Sequence, residues 1–199
     1  MFELAEYIGI IAFAMSGFFV ATRAKLDLLG VLISTFLTAL GGGIMRDIAV
    51  DTTPFTFVHN YPGFLVLSVM LIMIIFKFHR RNSIENKSFF IFSDSIGLIS
   101  FSISGALIAI EYQLNFTGVL AISFITAVGG GIVRDVILNE IPFVFKTGFY
   151  GTISLLMGIN VYLLSLFESI NFISLSLLFV FGVVLRLVAF YKKWSIPLK

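Results

Sequence analysis

The sequence predicts an all-α membrane protein of seven transmembrane helices, built as two inverted three-helix repeats plus a seventh helix. Three observations carry this: long uninterrupted apolar blocks, a duplicated stretch, and Lys and Arg gathered on alternate loops. Of the 199 residues, 59% are hydrophobic and only 12% charged, with a mean hydropathy of +1.07. A soluble domain carries about 25% charged residues, so this chain has too little charge to clothe a water-facing surface. The apolar blocks are continuous and long enough for roughly 20 residues of membrane-crossing helix. Helices satisfy their own backbone hydrogen bonds in lipid, whereas a β-barrel would show short alternating segments.

Seven spans follow in order: Leu4–Thr22, Leu28–Val50, Pro62–Phe78, Ser88–Ile110, Phe116–Leu138, Gly148–Phe167 and Phe172–Tyr191. The start, Met1 to Glu6, has acids where a cleavable signal would have Lys or Arg, so the first span is expected to be retained. Short links join the spans, the most polar being His79 to Lys87. Arg23, Lys25, Lys77, Arg80, Arg81, Lys87, Lys146, Lys192, Lys193 and Lys199 all fall on one side. Asp51, Glu111 and Glu168 mark the other. Basic residues mark the cytoplasmic side of short loops, which places the N-terminus outside and the C-terminus in the cytoplasm of a multi-pass inner-membrane protein.

A shift of 88 residues (129 − 41) lays Gly41-Gly42-Gly43-Ile44-Met45-Arg46-Asp47 on Gly129-Gly130-Gly131-Ile132-Val133-Arg134-Asp135. Ser16-Gly17 falls on Ser104-Gly105, and Pro54-Phe55 on Pro142-Phe143. The match runs ungapped from about Ile8 to Gly63. Three spans per copy is an odd number, so the copies enter the membrane from opposite sides. The units are residues 1–87, 88–171 and, for the seventh span with its tail, 172–199.

Inverted repeats commonly place a transport path where interrupted helices meet. The triple glycines of spans two and five (Gly41, Gly42, Gly43; Gly129, Gly130, Gly131) offer such weak points, or else close packing through small residues. Occurrence at matching positions, each followed by Arg-Asp, favours the break. Thr35, Thr38, Gly42 and Arg46 share one helical face, as do their counterparts Ser123, Thr126, Gly130 and Arg134. These form two polar stripes suited to a narrow wet path. Alternatively, the hydroxyls hydrogen-bond back to their own helices.

Charge inside a membrane needs a partner or a wet cavity. Glu6–Arg46 and Asp94–Arg134 form symmetric candidate ion pairs, with Asp47 and Asp135 as alternative partners, in either a structural or a gating role. Arg186 is expected to snorkel to the inner surface. His59 and His79 lie in or beside loops, cysteine is absent, and no dinucleotide or phosphate loop is present. No enzyme chemistry, metal, cofactor or nucleic-acid partner is expected.

At these residues the chain resembles prokaryotic members of the trimeric intracellular cation (TRIC) channel family. It is also similar to small bacterial membrane proteins that carry a glycine-transporter domain. The likeness covers nearly the whole chain, and the doubled Gly-Gly-Gly-Ile-x-Arg-Asp is its specific signature. The resemblance implies a homotrimer in the lipid bilayer, each subunit with its own hourglass pore between bent spans two and five. It implies permeation by monovalent cations, mainly potassium with some sodium, past Arg46 and Arg134. Passage of a small neutral amino acid such as glycine is the alternative.

Overall fold

A computed structural model describes residues 2–80, 83–146 and 149–194. Arg81, Gly148 and Lys199, used above for loop charge or a span edge, lie outside the described residues. Every described regular element is helical: α1 (Phe2–Arg23), α2 (Leu28–Ala49), α3 (Phe55–Val58), α4 (Tyr61–Ile75), a single 3-10 turn (Phe78–Arg80), α5 (Ser83–Glu111), α6 (Phe116–Ile137), α7 (Phe143–Lys146), α8 (Tyr150–Leu166) and α9 (Phe172–Tyr191). Each predicted span coincides with one helix, spans two and five being α2 and α6. The four-residue helices α3 and α7 were not predicted. They occupy equivalent places, each preceded by a proline (Pro54, Pro142) whose carbonyl accepts from the amide three residues on.

Five helices (α1, α2, α5, α6 and α9) are long and apolar enough to cross a bilayer. The apolar α4 and α8 are shorter, at 15 and 17 residues. This is an all-helical membrane protein.

The duplicated sequence produces duplicated local structure. Asp27 caps α2 by accepting from the Gly30 amide at 2.8 Å, and Asn115 caps α6 by accepting from Gly118 at 2.9 Å. Such caps satisfy amides that the first turn leaves without partners. At the centre α1 packs along α5, with Phe13 and Phe101 ring centroids 5.3 Å apart. Around this pair α2 packs on α1 and α6 on α5, while α2 and α6 also meet each other. The helix α9 lies against α5 and α8. Its Ile173, Leu177, Phe181 and Val184 are exposed at helical spacing, a face suited to lipid. Its opposite face carries Leu178, Gly182, Arg186 and Ala189, all buried.

Candidate functional site

Where α2 crosses α6, the two chains touch backbone to backbone. A Cβ built on Gly42 would overlap the carbonyl oxygen of Thr126, and one on Gly130 would lie 2.5 Å from that of Thr38. Only glycine fits at either position. Residues 42 and 126, and 38 and 130, therefore face each other, which makes the crossing antiparallel about residues 40 and 128. Both helices run unbroken through their glycines. The expected break is thus corrected: Gly42 and Gly130 bring the helices together. Gly43 and Gly131 point elsewhere, towards the guanidinium groups of Arg46 and Arg134.

The antiparallel crossing sends the two arginines in opposite directions, each six residues or about 9 Å of helix from the centre. Arg46 is 1% exposed and held by two carboxylates: its Nη1 donates to Glu6 Oε2 at 2.9 Å and its Nε to Asp47 Oδ1 at 2.8 Å. Arg134, 3% exposed, donates through Nε and Nη2 to Asp135 Oδ1 at 2.7 Å, and its Nη1 reaches Thr38 Oγ1 of α2 at 3.5 Å. Each aspartate has a second duty. Asp47 Oδ2 accepts from the Phe55 amide and Asp135 Oδ2 from the Phe143 amide, both at 2.8 Å. One carboxylate therefore orients its neighbouring arginine and pins the start of the short helix that follows.

Sequence reading offered both Glu6 and Asp47 as partners for Arg46, and the structure uses both. For Arg134 it uses Asp135. The expected direct Asp94–Arg134 pair is absent among the described contacts. Aspartate is one methylene shorter than its counterpart Glu6, and Asp94 instead accepts from Ser16 Oγ at 3.1 Å. Asp94 is buried, facing Tyr150 and feeling the charges of Arg134 and Arg186.

Arg186 also departs from expectation. It does not snorkel: it is 1% exposed, with its guanidinium 4.8 Å from the centre of the Tyr150 ring. Its position in an apolar span was the available signal, because ionisable residues there are usually functional. The roles of Tyr150 and Ser16 had no comparable signal.

The hydroxyl stripes are buried. Thr35, Thr38 and Thr126 each donate to the carbonyl four residues earlier at 2.6 Å, so the helix-bonding alternative holds for their protons. Their oxygens can still accept, as Thr38 does from Arg134. Ser123 differs by donating across to Ser102 O on α5 at 2.8 Å. Ser34, outside the predicted stripe, similarly ties α2 to Gly17 O of α1 at 3.1 Å.

Comparison with known proteins fits this duplicated arrangement. The pattern of the glycine transporter family covers residues 3–80 and 91–165, most of both halves. The chain belongs to the glycine transporter family. The UPF0126 membrane protein YvgT of Bacillus subtilis is 34% identical to it over 98% of this chain and 95% of that protein. A solved prokaryotic TRIC channel, crystallised in 0.5 M KCl, superposes with a TM-score of 0.89 at 31% identity, over 98% of each chain. The TRIC trimeric intracellular cation channel orthologue from Rhodobacter sphaeroides gives 0.87 at 26% identity, over 97% of this chain and 98% of that one. This glycine transporter family chain is therefore related to the TRIC channels.

Proposed function

We propose that the chain is a cation channel, with an ion path in each subunit alongside the α2–α6 crossing. The observation that carries this is the pair of neutralised arginines at mirror positions on that crossing. A bare arginine beside a cation path would repel the ion. Here Glu6 and Asp47 outweigh Arg46, and Asp135 offsets Arg134. The whole-chain likeness to TRIC channels supports the same reading. Thr35, Thr38, Ser123 and Thr126 supply oxygens near the path, and Gly43 and Gly131 leave the arginines room beside it. The permeant ions are monovalent, mainly potassium with some sodium.

Planar-bilayer recordings under potassium, sodium and chloride gradients test this. Single-channel steps whose reversal follows the cations are expected. Saturable glycine uptake into liposomes without such steps would replace the channel with a carrier, the reading that the family's description favours.

The same proposal takes residues 1–87 and 88–171 as inverted repeats, followed by the seventh helix and tail at 172–199, and seven crossings in all. The chain then has its N-terminus outside and its C-terminus in the cytoplasm, in line with the loop charges. Reporter fusions should place the ends on opposite sides, and finding both on one side would remove the inversion. Three subunits form the assembly, as in the trimeric orthologue's name. Native mass spectrometry finding monomers alone would exclude it.

A further inference from the structure

Among the described residues, the buried charged side chains are Glu6, Arg46, Asp47, Asp94, Arg134, Asp135 and Arg186. They divide by position. Glu6, Arg46 and Asp47 gather at one end of the α2–α6 crossing and carry a formal charge of −2 + 1 = −1. Asp94, Arg134 and Asp135 are their repeat equivalents at the other end and would carry the same −1. Arg186, from α9, adds +1 beside Asp94 and brings that end to zero.

The fold places this arginine deliberately close. Gly182, one turn earlier on the same face of α9, sits where a Cβ would lie 2.7 Å from Met157 Sδ of α8 and 3.0 Å from Ile99 Cγ2 of α5. That tight approach carries Arg186 inward to the Tyr150 ring. Among the described contacts it forms no direct ion pair there: Nε and Nη1 of Arg186 are buried without hydrogen-bond partners. Its charge therefore acts through space on the Asp94–Arg134 end rather than being locked to one carboxylate.

We propose that Arg186 is a charge-balancing residue that makes the ion path electrically asymmetric, attracting cations at the Glu6–Arg46 end and not at the Asp94–Arg134 end. This rests on the channel reading above. Fixed charge along a low-dielectric path raises the local concentration of the opposite ion, so the two directions of flow differ.

The test is the ratio of larger to smaller single-channel current at equal positive and negative voltage, which does not depend on how a channel inserted. In symmetric potassium chloride of ~0.01 M, where screening extends over ~30 Å, wild-type protein should give a ratio of about two or more. Arg186→Met leaves both ends at −1 and should bring the ratio close to one. Arg186→Lys should keep the wild-type ratio. Asp94→Asn makes the second end +1 and should increase the asymmetry, an opposite shift that loss of folding cannot mimic. At ~1 M salt, where screening acts within ~3 Å, all ratios should converge. Wild-type currents that are symmetric at low salt, or a ratio unmoved by Arg186→Met or Asp94→Asn, would overturn the assignment. Absence of any wild-type current would instead remove the channel reading, and this inference with it.

Discussion

Leucine in place of Gly42 is expected to prevent α2 and α6 from assembling, so that little correctly folded protein is recovered. The reason is geometric. The first atom of any side chain at residue 42 overlaps the Thr126 carbonyl oxygen, which is backbone within a helix and cannot swing aside. Gly130 meets the Thr38 carbonyl in the same way, so Gly130→Leu should behave alike. Even Gly42→Ala should cost about 1–3 kcal/mol, the usual range for overpacking a tight interior. On sequence alone, the same leucine would be expected to reduce flux more than folding, by straightening a broken helix. The helices are unbroken, and that expectation is reversed. Gly43→Ala is the control: its Cβ would lie 3.4 Å from Glu6 Oε1, an ordinary contact, and the protein should assemble normally. Size-exclusion chromatography after a graded heat challenge reads the difference. Recovery of Gly42→Leu equal to wild type would show that the close α2–α6 approach at this glycine is not needed for assembly.

What could be read from the sequence follows from what a linear pattern encodes. The repeat placed Arg46 and Arg134 at equivalent positions, and the helical period put them on faces with Thr38 and Thr126. Both are properties of spacing, and spacing survives folding. The choice among partners did not follow, because it turns on fractions of an ångström. Glu6 reaches Arg46, whereas the shorter Asp94 stops at Ser16. The glycine triplet was similarly ambiguous, since a break and a close crossing both call for a missing Cβ. Only the carbonyl of Thr126 opposite Gly42 decides between them. Arg186 was misplaced because periodicity shows that a residue has a face, not which neighbour meets it. Gly182, one turn away, was the overlooked hint of a close helix contact.

Asp135→Asn is expected to destabilise the protein more than Asp47→Asn, although the two aspartates make the same pair of contacts. Each accepts from its preceding arginine and from the amide that opens a short helix. Asparagine can keep the amide contact through its carbonyl oxygen but loses the charge opposite the guanidinium. At the first site Arg46 still has Glu6 at 2.9 Å. At the second, among the described contacts, Arg134 keeps the Thr38 hydroxyl at 3.5 Å and the field of Asp94. Stranding a buried charge costs about 3–5 kcal/mol, and a hydrogen bond to a charged group contributes about 1.5–3 kcal/mol. The retained Glu6 contact should therefore protect Asp47→Asn by about the latter amount. The double variant Glu6→Gln with Asp47→Asn removes both charges that face Arg46 and should lose more stability than Asp47→Asn alone. Unfolding midpoints in one detergent, compared across the three variants, supply the test. Equal losses for Asp47→Asn and Asp135→Asn would mean that Glu6 contributes nothing to holding Arg46. Its 2.9 Å contact would then be a feature of position rather than of energy.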